Sequence, residues 1–353
     1  LQEASEEIEV RSMRLKIIAL IILISGIVYP QIRIKAVGDI MPGSITPKRV
    51  IPLDSGKVFV DSLARFFTGA DITMGNLEGA LIEPGMKANK CSDTSRALGR
   101  CYEFGIPSYV AKSLKRIGFN LLSNDNNHYK DYSSEGVRNT EKVVTQLGMK
   151  YLGVKGVTFF TKGTSKIAIL PFSTNKESNY IPDYDGGKKL VKAYSDSGYI
   201  VIITFHGGRE GKSAQNVRNE EEIFLGEKRG NMIKFARGLV DAGASLIVGH
   251  GPHVLRGMEL YKGKLIAYSL GNFLTYGNVN IQGVSGISVM LDVTIDEKNG
   301  DFVKGELVPF RQKSPGIAYY DKSREGIKVI QKLIREDFPN GKLVITEEGK
   351  IIR

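Results

Sequence analysis

Histidine and cysteine are scarce in this chain, at four and two among 353 residues, and it has no internal repeat and no low-complexity stretch. The missing repeats and biased tracts exclude a fibrous or disordered protein, while 42% apolar residues is ordinary for a packed globular core. The cysteines, Cys91 and Cys101, have no histidine nearby and are not at metal-ligand spacing, which excludes a cysteine zinc site. They share one loop-like insertion that an oxidising compartment would let them close as a disulfide; otherwise they are two free thiols. No aromatic-interleaved basic stripe is present, so nucleic acid is not an expected partner. No linker is long enough to separate a second domain.

Long hydrophobic runs are lacking as well, save one. Ile17 to Val28 is apolar over 12 residues behind the basic flank Met13-Arg14-Leu15-Lys16. At about 1.5 Å per residue it is too short for a hydrocarbon core of roughly 30 Å and fits a signal-peptide core. Export is therefore expected, with residues 13–30 as a cleaved signal or a short retained anchor, since no Ala-x-Ala site follows. Residues 1–12 read as an over-extended N-terminus ahead of the start at Met13. They carry Glu3, Glu6, Glu7 and Glu9 against Arg11, so the formal +11 rises to +14 without them. Such a basic surface gathers anions: phosphates, anionic glycans, polyglutamate or lipid heads.

What is present is concentrated. His128 closes Asn124-Asp125-Asn126-Asn127-His128, His206 opens His206-Gly207-Gly208-Arg209-Glu210, and His250 and His253 bracket Gly249-His250-Gly251-Pro252-His253. Each cluster follows an apolar, strand-like run, and in open α/β sheets ligands bind at strand ends. Gly38-Asp39 and Asn76-Leu77-Glu78 end two further runs. Imidazole, carboxylate and amide are the groups that hold divalent metals able to activate water, and two metals about 3.5–4 Å apart need a bridging carboxylate.

In order the chain reads GD, NLE, NNH, HGGRE, GHGPH and then Tyr268-Ser269-Leu270-Gly271-Asn272-Phe273. This series, from about Ile34 to Phe273, resembles the CapA family of poly-γ-glutamate capsule proteins, relatives of the calcineurin-like metallophosphoesterases. The resemblance implies two divalent metals (Mn, Fe or Zn), with Asp39 and His253 holding one, Asn127, His206 and His250 the other, and Glu78 bridging. It leaves His128 uncoordinated as general acid or charge stabiliser. Asp131, just ahead of Tyr132-Ser133-Ser134-Glu135, reads as a helix-start signal, or else as a partner that orients His128. Arg209 lies within a motif and can clamp a carboxylate or phosphate; Arg218 and Arg256 read as solvated surface.

The chain departs from the family pattern at three places. Met41 stands where Asp-x-His enzymes have histidine, so the first metal lacks an imidazole. Gly207 stands where the family usually has tryptophan, which removes a ring from the pocket wall. Asp125 stands where alanine is common, and reads as a solvated charge or as an aid to metal affinity.

Strands are expected at Ile32 to Val37, Ile72 to Gly75, Asn120 to Ser123, Lys166 to Phe172, Tyr199 to Phe205, Ser245 to Val248, Leu265 to Ser269, Ile287 to Ile295 and Phe302 to Phe310. Helices are expected at Pro107 to Ile117, Ser134 to Leu147, Lys188 to Ser197, Asn231 to Ala242 and Ser323 to Phe338. The mixture suits an α/β protein, and the resemblance implies a four-layer αββα sandwich of two mixed β-sheets flanked by helices, with residues 31–353 as one domain. Its motif core spans 34–275, and the strands and helix of 285–353 cover the second sheet. Two functions compete: an exported metal-dependent hydrolase acting on a phosphate ester or γ-glutamyl amide of a cell-envelope polymer, and a non-catalytic capsule-assembly protein that grips an anionic polymer through the same metals. Membrane-bound capsule machinery is the expected partner of either.

Overall fold

The computed structural model describes residues 31–99 and 101–353, so the expected signal or anchor at 13–30 and the expected over-extension at 1–12 lie outside the described residues. Two mixed sheets dominate. The larger has ten strands, with Phe302–Lys313, Ile287–Asp296, Gln31–Met41, Ile72–Leu77, Leu121–Ser123 and Lys150–Leu152 side by side in its middle and far edge. The smaller has six, in the order Met258–Tyr261, Lys264–Ala267, Ala244–His250, Tyr199–His206, Ser165–Ser173 and Thr158–Lys162.

Period-2 alternation sets the layers. Ile32, Ile34 and Ala36 of the first sheet pack with Ile167, Ile169, Ile202, Leu246 and Val248 of the second in one buried cluster between the sheets. The opposite faces bury against helices. Val37, Ile40 and Leu122 meet Phe59, Leu63, Leu114 and Val144, from the helices Lys57–Leu63, Ala111–Ile117 and Ser133–Gln146. Leu170, Phe172, Val201 and Ile203 meet Val191, Phe235 and Leu239, from Tyr184–Asp196 and Met232–Asp241. The order helix, sheet, sheet, helix is the four-layer αββα sandwich. The helix Glu325–Asp337 places Ile327, Ile330 and Ile334 in the inter-sheet core.

Each expected strand and helix is present, with shifted ends. Asn231 caps its helix by accepting the Lys234 N–H at 2.9 Å, whereas the helix expected from Lys188 starts at Tyr184, where Asp183 accepts the Gly186 N–H. The strands Ile287–Asp296 and Phe302–Lys313 join the first sheet, the former antiparallel to Gln31–Met41 and the latter antiparallel to the former, and face the second sheet across the core. Short strands such as Ala80–Ile82, Gly105–Pro107 and Asn272–Thr275 carried no periodic signal. The last of these crosses from the second sheet to pair in parallel with Gln31–Met41, with Asp39 opposite Asn272. Gly38 permits that crossing: a Cβ there would lie 1.7 Å from the Gly271 carbonyl oxygen, which accepts the Asp39 N–H at 3.0 Å. Among the described residues no helix is long and apolar enough to cross a membrane.

Candidate metal centre

Gln31–Met41, Ile72–Leu77 and Leu121–Ser123 run parallel, as do Ser165–Ser173, Tyr199–His206 and Ala244–His250. Their C-terminal ends carry Asp39, Glu78, the Asn124 to His128 segment, His206 and His250, so clusters far apart in sequence meet at one edge of the sandwich. Glu78 Oε1 lies 3.5 Å from His253 Nε2, 3.6 Å from His206 Nε2 and 4.0 Å from His128 Nε2. Asp39 Oδ2 lies 3.1 Å from His253 Nδ1, and Asp39 Oδ1 lies 3.7 Å from His250 Nδ1. His253 reaches inward from a turn with positive φ (58°), following Gly251 at 110°; such strained backbone persists where the surroundings hold it.

Buried atoms without hydrogen-bond partners include Asp39 Oδ2, Glu78 Oε1, Asn127 Oδ1 and both ring nitrogens of His206 and His250. Leaving a buried polar atom unpaired costs about 1–3 kcal/mol, so this concentration at one edge of the sandwich fits a bound cation. Glu78, His206 and His253 each offer a ligand atom within 4.8 Å of the others. That grouping joins His206 and His253, which the resemblance assigns to different metals. Asn127 enters only through its unpartnered Oδ1.

Electrostatics favour the ligating forms of His250 and Glu78, whereas the carboxylates around His253 favour its protonated form until a cation replaces the proton. Burial pushes His250 down to about 4, with His206 adding to the effect and Asp39 opposing it, so the ring is neutral at pH 7. Burial would raise the Glu78 carboxyl, but His253, His206 and His128 hold it below the usual carboxylate range. Burial also works against charge on His253, yet Glu78, Asp39 and Glu210 hold it well above its ordinary value.

Asp131 is no helix cap. The helix begins at Ser133 without a side-chain cap, and the fully buried Asp131 carboxylate faces His128 Nδ1 at 2.7 Å through Oδ2 while accepting the Phe104 N–H. Of the alternatives, the orienting partner is the one present. Asp125 is not solvated either: it is 2% exposed and accepts the Ser173 and Ser178 hydroxyls. Burial raises its pKa, those hydroxyls opposing. Arg256, expected at the surface, is fully buried and forks both Glu222 oxygens at 2.8 and 2.7 Å; Arg218 is exposed. Arg209 donates its backbone N–H to Glu222, and its Nε lies 3.9 Å from that carboxylate. Gly207 opens no gap in the pocket, because a Cβ there would meet Ile181 Cδ1 at 2.5 Å. Met41 packs in the apolar outer layer and offers the site nothing.

Several site residues carried no assigned role in the sequence. Asn76 donates to Asp39 Oδ1 at 2.9 Å and accepts from Asn126, whose Oδ1 takes the His128 N–H. Asn272 bonds His253 at Nδ1 and at the carbonyl oxygen. Both asparagines stand inside motifs, NLE and YSLGNF, which is the signal that could have found them. Lys90 had none. Cys91 and Cys101 are joined, and beside that cystine Lys90 Nζ lies 3.1 Å from Asp131 Oδ1 and 2.8 Å from the Asn127 carbonyl oxygen. Phe104, beyond the other end of the loop, lays its ring 4.5 Å from that of His128.

Fold and site thus define a four-layer α/β protein with one buried imidazole and carboxylate centre at the strand ends. The chain belongs to the bacterial capsule synthesis protein family PGA_cap, whose profile matches residues 33–276. It is 28% identical over 262 residues to a capsule biosynthesis protein, CapA, of Bacillus anthracis, covering 67% of this chain and 58% of that one. It is also 28% identical over 263 residues to the PGA biosynthesis protein CapA of Bacillus subtilis, covering 67% and 62%. The match thus takes in about three-fifths of the length of these relatives. A crystal structure from Staphylococcus aureus, described as a candidate 5′-nucleotidase in complex with α-ketoglutarate, overlaps 86% of this chain and 58% of its own, at TM-score 0.44 and 13% identity. That overlap is too loose to bear on function.

Proposed function

We propose that this protein is an exported, metal-dependent hydrolase that acts in the synthesis or processing of an anionic cell-envelope polymer, poly-γ-glutamate, on a phosphate ester or γ-glutamyl amide bond. The observation that carries the reading is the convergence of Asp39, Glu78, His206, His250 and His253 with buried, unpartnered ligand atoms, beside an oriented His128. In this reading Asp39 and His253 hold one divalent ion (Mn, Fe or Zn), Asn127, His206 and His250 a second, and Glu78 is shared. When bound, such ions polarise an acyl or phosphoryl oxygen and acidify water.

The chain's own groups supply the rest. Asp131 accepts a hydrogen bond from His128 Nδ1–H and so supports the doubly protonated ring, whose second proton, on Nε2 facing the Glu78 side, passes to the leaving group. Arg209, 40% exposed at its side chain with an unpartnered Nε, meets an anionic group of the substrate. The net charge of +11 draws an anionic polymer to the surface. The relatives named for capsule and PGA biosynthesis support that choice of polymer, and membrane-bound capsule machinery is the proposed partner.

The test is turnover of a panel of phosphate esters and γ-glutamyl peptides with added Mn²⁺, by the wild type and by His128→Ala. Turnover lost in the variant supports the enzyme. The second reading, a non-catalytic polymer binder, draws on Met41, whose burial in the apolar layer leaves the first ion short of an imidazole; retention of poly-γ-glutamate without turnover would select it.

A further inference from the structure

Glu210 closes the HGGRE motif, and neither the resemblance nor the sequence gives it a role. Its Oε2 lies 3.8 Å from His253 Nε2, the ring nitrogen that also faces Glu78 Oε1 at 3.5 Å. The other ring nitrogen is occupied: His253 Nδ1 sits 3.0 Å from Asn272 Oδ1 and 3.1 Å from Asp39 Oδ2. Nε2 is therefore the atom free to ligate, with an oxygen of Glu78 and one of Glu210 within 3.8 Å of it. Two ligand atoms held by one ion at about 2.1 Å each stand about 3–4 Å apart, which is the spacing of Nε2 to both oxygens.

The far oxygen of Glu210 is anchored. Oε1 lies 3.1 Å from Arg229 Nη1, and Arg229, 5% exposed, also pairs with Glu227. Arg229 stands on the strand Glu227–Gly230, paired with Glu222–Phe224. Glu222 fastens this hairpin to Arg256 and to the Arg209 backbone. The hairpin therefore aims Glu210 at His253 from outside the two sheets.

The charge balance agrees. Asp39, Glu78 and Glu210 all approach His253, and among the described residues Arg229 is the guanidinium paired to them. Glu78 Oε1 is buried and has no hydrogen-bond partner, which points to a cation. Met41, where a histidine ligand would stand, is turned into the apolar layer.

We infer that Glu210 is a further metal ligand, donating through Oε2 to the ion held by His253 Nε2 and Glu78, and that Arg229 is the residue that positions it. The inference rests on the metal-centre reading above and adds a donor to it.

The experiment is Mn²⁺ titration of the full chain, followed by electron paramagnetic resonance of free Mn²⁺ and by calorimetry, with no substrate present. Expected is binding of two ions by the wild type, with one weakened about 10-fold or more in Glu210→Gln and the other changed less than twofold. Glu210→Asp should fall between them, and Arg229→Gln should weaken the same ion by a smaller factor. Thermal melting of the metal-free variants is the folding control, expected to match the wild type for the isosteric Glu210→Gln. Affinities within twofold at both ions in Glu210→Gln would overturn the assignment while leaving the metal centre standing, as would a lowered melting temperature without loss of metal. A wild type that binds no Mn²⁺ would overturn both.

Discussion

Asp131 Oδ2 and His128 Nδ1 stand 2.7 Å apart in a buried pair, with Lys90 Nζ 3.1 Å from the second Asp131 oxygen. The carboxylate fixes which nitrogen of the ring carries the proton and how the ring is turned, and so decides what Nε2 can offer a substrate.

If His128 is the proton donor, His128→Ala should lower turnover by about 10²–10⁴-fold without loss of metal. Asp131→Asn keeps the shape of the partner but can present its amide to Nδ1 and select the other tautomer; it should lower kcat and leave KM close to wild type. Steady-state kinetics with metal analysis on each variant checks both. An Asp131→Asn enzyme of wild-type kcat would remove the orienting role.

Met41→His should not repair the first ion's ligand set. The side chain lies at 1% exposure in the apolar layer with Phe59, Leu63 and Leu274. An imidazole there loses its water without gaining a partner, at about 1–3 kcal/mol. Expected is a lower midpoint in denaturant and unchanged metal retention after dialysis. The wild type should hold one ion tightly and the second more weakly. Improved retention in the variant would show that the strand can turn position 41 toward the site.

Replacing both Cys91 and Cys101 by serine should cost about 2–3 kcal/mol, because the open loop regains freedom in the unfolded chain. The loop sits between Lys90 and Phe104, which flank His128, so the pair of substitutions should also perturb the His128 imidazole signals in NMR spectra more than those of His250. Equal stability with and without the bond, from urea unfolding, would contradict the first part. Two alkylatable thiols in the unreduced protein, by mass spectrometry, would contradict the bond itself.

Asp321 offers a pH test away from the site. Its carboxylate accepts the Ser323 and Glu325 backbone N–H groups at the start of the helix Glu325–Asp337. Burial opposes its ionisation, but these bonds, the Ser323 hydroxyl and Arg311 hold its pKa below the usual value. A depressed carboxylate contributes stability above its unfolded pKa and loses it as pH falls through the folded one. Asp321→Ala should therefore cost about 1 kcal/mol at pH 7, shrinking toward zero as the medium is acidified below pH 4. A difference independent of pH, from denaturant midpoints, would rule out the charge as its source.

Much of the site is legible in the sequence because most of its candidate ligands lie at or just past strand ends. An apolar run followed by Asp39, His206 or His250 marks a place where the chain leaves the sheet, and parallel strands bring such ends to one edge. The alternating runs at Ile32 to Val37 and Tyr199 to Phe205 likewise announce both sheets. Partners are less legible. Asp131 has the look of a helix cap, and Asp125 and Arg256 of solvated charges, yet each is buried, because burial depends on what distant segments place against a side chain. The hydroxyls of Ser173 and Ser178 take up Asp125, and Glu222 takes up Arg256.

The sequence by itself determined the inventory: four histidines in clusters, the order of motifs, the succession of strand-like and helical stretches, and a loop bearing two cysteines. Those follow from local periodicity and residue chemistry. Only the tertiary structure decided which atoms meet: that Glu78 faces three imidazoles, that Met41 is turned away, that Asn272 crosses between sheets to hold His253, and that Glu210 reaches the same ring. Such pairings rest on strand register and on close approaches such as Gly38 against Gly271. They depend on packing between segments tens to hundreds of residues apart, which no local pattern encodes.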